Sequence, residues 1–281
     1  METTKPSKSR FSKIITATVK TIKDTPAVYT PFLIFAALEF ITLIFLFLAP
    51  RKFLLPLMGP PIRTLWGEQF LHYPSNFLLL PKLASFSRMG LSVIFGSILT
   101  GIAIAKVYKK PDMIAVKKYT SLFLIVFIVT ILFYFTVNSM GLLLAKYFMA
   151  KHAKLLFLGP HIWMGPILFV SNIILAIIIQ SAFVYAIPEL ILGDKKFFQA
   201  IFSSLKFCVK NLLITAVLTG IPMLLYIPII VLNNNSALLI TKMFPEIILL
   251  ICITSIIISS LIIDPFVTIS TALLYIDGRK K

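Results

Sequence analysis

Residues 246–274 form one apolar run that a single acid, Asp264, interrupts. A helical run of about 20 apolar residues crosses the hydrocarbon core of a bilayer, which is about 30 Å thick. Runs of the same kind occur at 29–49, 87–107, 119–145, 161–187 and 212–232. Only helices and closed barrels satisfy their backbone hydrogen bonds in lipid. We therefore predict an all-α, polytopic membrane protein, residues 1–281 forming one membrane domain with six transmembrane helices.

The composition excludes an ordinary soluble domain. Hydrophobic residues make up 59% of the chain, charged residues 13%, and the mean hydropathy is +0.98. Soluble domains are about 45–50% apolar and about 25% charged. The net charge of +17 does not indicate nucleic acid as a partner, because the basic residues lie in short clusters between the apolar runs. Such clusters attract anionic lipid headgroups, so membrane lipids are the expected partners.

The distribution of lysine and arginine predicts the orientation. With six spans, the segments on the side of the two termini hold 18 of these residues, and those on the other side hold 9. Basic residues are enriched in cytoplasmic loops. The prediction is a multi-pass protein of the cytoplasmic (inner) membrane with both termini in the cytoplasm.

Two segments on the predicted cytoplasmic side have apolar residues at helical spacing beside lysines. The first is the amphipathic N-terminus, residues 1–26, with Phe11, Ile15 and Val19 on one side. The second lies before the fifth span and has a stripe of Phe198, Ile201, Leu205 and Cys208. Both patterns are typical of amphipathic helices lying in the membrane interface. The alternative is that each packs on the ends of the spans, and the two interpretations are compatible.

The segment 51–88 is the longest one outside the predicted spans. It is too apolar for a solvated loop, and five prolines interrupt it. We expect short helices lying on the outer face.

Glu39 lies near the middle of the first span, where an unpaired charge costs about 2.5–3.5 kcal/mol on insertion scales. One interpretation is a proton or cation site inside the helix bundle. The alternative is a buried acid that hydroxyl and amide groups satisfy, with Thr42, Asn138, Asn172 and Gln180 as its neighbours. The sequence predicts no basic partner for Glu39 within the membrane.

Asp264 is the second acid in an apolar run. Its position, 18 residues after Glu246, places it near the inner boundary if the helix is straight. Pro265 then predicts a kink, unless the long helix is tilted. We interpret Asp264 as an interfacial acid beside a bend, with an ion site as the alternative.

The outer face offers one weak candidate for catalysis or metal binding. Glu68 and His72 are four residues apart, and His161 lies on the same predicted side. Carboxylate and imidazole groups are zinc ligands, but no HExxH or comparable spacing is present. No metal, cofactor or catalytic residue is therefore predicted.

The second span contains small residues at four-residue spacing, Ser92, Gly96 and Thr100. This spacing lets helix backbones approach closely in lipid, and it predicts a helix-packing face.

The final third of the chain resembles a family of prokaryotic six-span membrane proteins. They include the membrane domain of some glycerophosphoryl diester phosphodiesterases and stand-alone relatives of it. The resemblance rests on "AIPELILGDKKFFQAIFSSLKFCVKN", on Pro265, and on the ending Leu273, Leu274, Tyr275, Asp277, Arg279. Gly278 stands where the family has a larger residue. The phosphodiesterase barrel is absent, so the resemblance implies the six-span topology but no catalytic activity.

The expected function is a non-enzymatic integral membrane protein: a structural, assembly, partner-binding or lipid-binding component. Its partners would be lipids, other membrane proteins or a second copy of itself. The alternative is a small transporter or channel using Glu39. A membrane-embedded enzyme acting on lipid through Glu68 and His72 is the least favoured interpretation.

Overall fold

The computed structural model describes residues 10–51, 54–152 and 161–279, and between 137 and 166 it describes only a few side chains. Every regular element in these ranges is helical, and none of these residues lies in a strand. The predicted all-α class is confirmed.

The first half of the chain contains seven α-helices, two short 3₁₀ turns and one π-helical segment. The helices are α1 (Arg10–Asp24), α2 (Thr30–Leu48), α3 (Leu55–Leu65), α4 (Asn76–Leu91), α5 (Ser97–Val107), α6 (Met113–Lys117) and α7 (Tyr119–His152). The 3₁₀ turns are Pro26–Val28 and Glu68–Leu71, and the π-helical segment Ser92–Gly96 joins α4 to α5.

The second half contains eight α-helices and a second π-helical segment. The helices are α8 (His161–Phe183), α9 (Ala186–Leu192), α10 (Phe197–Lys210), α11 (Leu212–Leu224), α12 (Ile227–Asn234), α13 (Ser236–Lys242), α14 (Ile247–Ile256) and α15 (Asp264–Arg279). The π-helical segment Ile257–Ile263 joins α14 to α15.

Among the described residues, five helical stretches are long and apolar enough to cross a membrane. They are Pro26–Leu48, Asn76–Val107, Tyr119–Thr136, Ile167–Leu192 and Ile247–Arg279. A polytopic helical membrane protein is thus confirmed.

A sixth crossing is predicted at residues 212–232, and the described helices reach six candidate spans if Phe197–Lys210 and Leu212–Leu224, which are bent by 97°, are counted as one. Here α11 ends at Leu224 and α12 begins at Ile227, immediately before Pro228. At about 1.5 Å per residue the two helices together are long enough for the bilayer core. The contacts of the chain ends support this crossing. Because α1 packs on α15 and Arg10 Nε lies 2.7 Å from Asp277 Oδ2, both ends are on one side, and the number of crossings must be even.

We call the membrane half nearer α1 and the end of α15 the termini side, and the other half the far side. An apolar core fills each half. On the far side, Leu43, Phe77, Ile229 and Ile248 belong to one core. On the termini side, α1, α10 and α15 meet in another core, around residues such as Ile14, Cys208 and Tyr275.

The second span begins at Asn76, eleven residues before the predicted position 87. Pro81 lies inside α4, although proline removes a backbone hydrogen bond there. Phe77, Leu79, Leu80 and Pro81 are all buried, and this packing offsets the lost bond. The outer-face segment predicted at 51–88 is therefore too long: α3 and the following 3₁₀ turn occupy its first part, and its last 13 residues belong to α4.

The last span continues through Pro265. Ile247–Arg279 is a single helical stretch of 33 residues, and its seven residues before Asp264 form wide π-helical turns. Proline has no N–H to donate, so a local change of hydrogen-bond pattern accommodates it without breaking the span.

Candidate functional site

The charged residue Arg88 of α4 lies between the two membrane acids. Its Nε atom is 3.1 Å from Glu39 Oε1 of α2, and its Nη2 atom is 3.2 Å from Asp264 Oδ2 of α15. One guanidinium thus joins both carboxylates. We refer to Glu39, Arg88 and Asp264 as the triad.

Two serines form hydrogen bonds with the triad. The Ser260 hydroxyl donates to Glu39 Oε2, and Arg88 Nη1 donates to Ser259 Oγ. Arg88 Nη2 also lies 3.4 Å from Ser260 Oγ. Both serines belong to the π-helical segment Ile257–Ile263, and the other π-helical segment begins four residues after Arg88. Two helices therefore depart from regular α-geometry beside the same charge cluster, a departure that is frequent at functional sites.

The triad contradicts two expectations. Glu39 has a basic partner inside the bundle, and it was missed because the second span was predicted to begin at residue 87, which placed Arg88 at the membrane boundary. Asp264 lies deeper than the interfacial position expected for it, because its partner is the same arginine that holds the mid-span Glu39. The four-residue spacing of Arg88, Ser92, Gly96 and Thr100, which places all four on one helix face, is the signal that could have revealed this arginine.

A cavity of about 470 Å³ adjoins the triad in the termini-side half of the membrane. Its volume falls within the range of about 300–1,000 Å³ that is usual for small-molecule sites. The walls come mainly from apolar side chains of α2, α5, α7, α8 and α15, such as Phe35, Val129 and Ile179. Arg88 and Asp264 are the charged residues among those that line it.

A second, smaller cavity of about 40 Å³ lies on the far side of the triad. Glu39, Arg88, Tyr226, Asn233 and Ser255 are among its lining residues. The volume is sufficient for a water molecule. Arg88 borders both cavities, whereas Glu39 borders only the small one and Asp264 only the large one. The triad therefore separates two spaces in opposite halves of the membrane.

The amides and hydroxyl predicted around Glu39 lie elsewhere. Thr42 donates to the Leu38 carbonyl of its own helix, 2.8 Å away, and the buried Asn172 Oδ1 has no hydrogen-bond partner. Gln180 lines the large cavity. Asn138 lies in α7, but its side chain is outside the described part of the structure. Among the members of the predicted polar set whose side chains the structure describes, Glu39 and Asp264 share a partner, Arg88, and Gln180 and Asp264 line the same cavity.

The small residues of the second span have two environments. A Cβ atom on Gly96 would lie 3.2 Å from Ser92 Oγ and 3.4 Å from the Phe35 ring, so Gly96 permits a close approach of α2. Ser92, Gly96 and Thr100 also line the large cavity. Their small size therefore leaves room for the cavity and also lets α2 approach the second span closely.

The outer-face residues are exposed and dispersed. Glu68 Oε2 pairs with Arg63 Nε at 2.6 Å, and His72 Nε2 lies 3.8 Å from Glu68 Oε1. The side chain of His161 is outside the described residues. Within the described part of the chain, no three His, Cys, Asp or Glu side chains are grouped so that they could hold a metal ion.

A second buried acid, Glu189 of α9, was not singled out from the sequence. Its Oε2 atom accepts a hydrogen bond from Tyr275 Oη at 2.8 Å and lies 3.0 Å from Lys195 Nζ. The signal was present, because an acid within an apolar segment is followed six residues later by a lysine. This pair lies at the termini-side end of the bundle, where α9, α10 and α15 meet.

Nearby, Asp194 pairs with Lys118 on the surface. The hydrogen bond from Lys118 and the charge of the same ammonium lower the pKa of Asp194 below its ordinary value.

Comparisons of this chain with protein-family models, with curated proteins and with solved structures found no match.

Proposed function

We propose that this protein is a non-enzymatic integral membrane protein that binds a lipid-like amphiphile in the large cavity. The observation that carries the proposal is the cavity itself, with its apolar walls in the termini-side half and its charged end at Arg88 and Asp264. An amphiphile has the matching structure, because its chain is apolar and its head is polar. Ligand sites of this kind combine mostly apolar walls with a few placed polar groups.

The pairing of the charged groups at the cavity supports the proposed non-enzymatic character. Arg88 holds both acids of the triad, and Ser260 donates to Glu39. This arrangement uses the charged groups at the cavity to stabilise one another within the membrane.

The proposal includes an orientation with the termini side in the cytoplasm of the inner membrane, in accord with the lysine and arginine distribution. It also includes interfacial helices. The axis of α10 is bent by 97° from α11, and Phe198, Phe202 and Val209 of α10 are 71%, 69% and 75% exposed. Lys206 and Lys210 are exposed on the same helix. Such a surface suits a membrane interface, with the rings in the acyl region and the lysines at anionic headgroups.

A photoreactive amphiphile tests the proposal. The full-length protein in lipid nanodiscs is incubated with a diazirine-labelled hexadecanol, irradiated, and digested for mass spectrometry. We expect labelling of cavity residues of α7 and α8. The Ala176→Phe substitution, which adds a ring at a lining position, should abolish this labelling.

The matched control is Ile178→Phe on the same helix, because Ile178 is exposed on the outside of the bundle. The probe should label the cavity residues of this variant to the same extent as those of the wild-type protein. Equal labelling of all three proteins, or labelling only of outward-facing residues, would overturn the proposal.

A transporter is the second candidate function. The observation that favours it is the position of the triad between two cavities in opposite membrane halves. Titratable groups at such a boundary are common in pathways for protons and ions. In liposomes under an imposed pH gradient, the wild-type protein should show a proton or solute flux that Glu39→Gln reduces. Equal fluxes for the two proteins would remove this candidate.

A further inference from the structure

The charges of the triad do not balance. Glu39 and Asp264 contribute two carboxylates, and Arg88 contributes one guanidinium. The other titratable groups that face the triad are Tyr226, between α11 and α12, and Cys252 of α14, both at the small cavity. The parts of α5, α7 and α8 that line the large cavity contribute no charged side chain. With all three members ionised, the triad has a net charge of −1.

The two acids are not equivalent. The Glu39 side chain is 3% exposed, and it contacts both Arg88 and Ser260. The Asp264 side chain is 37% exposed, it faces the large cavity, and Arg88 is its only charged partner among the described residues. Arg88 Nη2 also donates to Asp264 Oδ2 at 3.2 Å, so one guanidinium serves both acids, and Asp264 is the acid that a ligand in the large cavity can reach.

An uncompensated carboxylate inside a membrane is costly, and charged groups there pair with a counter-charge or become neutral. Whenever both acids are ionised, the site therefore requires one more positive charge, and the cavity beside Asp264 is where a ligand can supply it. In the empty cavity a proton meets this requirement. In the occupied cavity a cationic ligand can replace that proton and leave the total charge of the site unchanged.

We propose that the cavity binds a single-chain amphiphile with an ammonium head, and that this head exchanges with a proton on Asp264. This inference rests on the proposed binding of an amphiphile. In the exchange, the O–H bond of the Asp264 carboxylic acid breaks, its proton passes to water, and the ammonium head forms an ion pair with the resulting carboxylate. Arg88 and Glu39 remain paired throughout. The neighbouring π-helical segments supply the irregular backbone that brings Ser260 and Asp264 to this point.

Three probes with the same chain and different heads test the inference: hexadecyltrimethylammonium, hexadecanol and hexadecyl sulfate. Each is titrated below its micellar concentration into the full-length protein in zwitterionic nanodiscs. Calorimetry in two buffers with different ionisation enthalpies gives the number of protons released per bound probe.

The wild-type protein should release close to one proton per hexadecyltrimethylammonium and none with hexadecanol. Its affinity for the cation should rise about tenfold per pH unit while Asp264 carries its proton. Asp264→Asn should bind the cation more weakly, without proton release or pH dependence, and should bind hexadecanol as the wild-type protein does. The control Glu189→Gln, which alters a buried acid away from the cavity, should behave like the wild-type protein.

The possible failures are distinguishable. If hexadecanol binds but the cation binds no tighter and releases no proton, the inference is wrong and the proposed function stands. Tighter binding of hexadecyl sulfate would show that Arg88 recognises the head, and it would also overturn the inference. If none of the three probes binds, the proposed function fails and the inference fails with it. The number of protons that the wild-type protein releases per bound cation tests the inference even if Asp264→Asn does not fold.

Discussion

Glu39 and Glu189 are two buried glutamates with different surroundings. Glu189 has one basic partner, Lys195, and a hydrogen bond from Tyr275. Within the described ranges, Glu39 has one basic partner, Arg88, and shares it with a second acid. Both acids are paired, but only the pair at Glu189 is balanced in charge.

The Glu189–Lys195 pair and the triad differ in the role that their charges allow. The balanced pair joins α9, α10 and α15 at the edge of the bundle, where Lys195 is partly exposed and also donates to Ser203 Oγ at 2.7 Å. The triad has one carboxylate more than it has cations, and this excess needs a proton or a further cation. A buried acid in a membrane is thus structural or exchangeable according to the charges around it, and its own depth does not decide between the two.

The largest expected effect is that of Arg88→Gln. The substitution leaves two carboxylates without a base, and breaking a buried ion pair in this way costs about 3–5 kcal/mol. We expect a large loss of stability in chemical unfolding from mixed micelles. Lys195→Gln, at the partly exposed pair, should cost much less.

Adding Glu39→Gln and Asp264→Asn to Arg88→Gln should recover part of the loss, because no charge then remains at the site. Absence of any recovery, or equal losses for Arg88→Gln and Lys195→Gln, would contradict the distinction between the two sites.

A smaller effect is expected beside the balanced pair, at Gly278. A Cβ atom there would lie 2.6 Å from Phe207 Cζ, and the Phe207 ring packs on Tyr275 with centroids 5.3 Å apart. Overpacking of this kind costs about 1–3 kcal/mol, so Gly278→Ala should lower the unfolding free energy.

The control is Gly90→Ala, also within a helix, where an added Cβ meets no atom within 4 Å. It should be neutral or stabilise by about 0.5–1 kcal/mol, since alanine is the better helix former. Similar losses for the two alanine variants would show that the Phe207 contact is not the cause. The contact also explains why glycine occupies this position, where the resemblance leads one to expect a larger residue.

A still smaller change is expected for Tyr275→Phe, which removes one hydrogen bond to Glu189 but leaves Lys195 in place. The expected loss is about 1 kcal/mol. Tyr119→Phe is the matched control, because the Tyr119 hydroxyl bonds the Ile94 carbonyl at an exposed position. A loss of several kcal/mol for Tyr275→Phe would mean that Glu189 depends on the hydroxyl more than on its ion pair.

The smallest effect concerns the surface acid Asp194. Its pKa is lowered in the folded protein, so its contribution to stability is present above the ordinary Asp pKa and is lost as the pH falls through the folded value. Asn tolerates the positive φ of 51° at this position, so Asp194→Asn removes the charge without backbone strain.

Melting temperatures of the wild-type and Asp194→Asn proteins should differ slightly at about pH 7 and converge toward about pH 3. Lack of convergence would show that the Lys118 pair does not account for the difference.

The apolar runs predicted much of the helical architecture. They did not predict which face of a helix packs against the rest of the protein. The predicted stripe of α10 combined Phe198 and Cys208, whereas the structure exposes Phe198 and buries Cys208 against the protein. Ala200, Ser204 and Cys208 form the packed face, and Phe198, Phe202 and Val209 lie exposed. Lipid and protein interior are both apolar, so hydrophobic spacing cannot tell a lipid-facing side from a protein-facing one.

The candidate site was predictable only in part. Glu39 was identified from its position alone, because an acid in mid-span is costly wherever it points. Arg88 was missed because prolines made its segment look too broken to span the membrane. The helix forms nevertheless, since burial of Phe77, Leu79 and Leu80 outweighs one missing backbone bond.

The long apolar runs, read from the sequence, established a polytopic helical protein, since each run must satisfy its backbone hydrogen bonds within itself when it enters lipid. These are local constraints and need no knowledge of neighbouring helices. The meeting of Arg88 with Asp264, 176 residues away in the chain, and with Glu39 depends on how three separate helices pack. Only the tertiary structure decides such a meeting, because the free energy of a buried charge depends on which partners lie within a few ångströms of it.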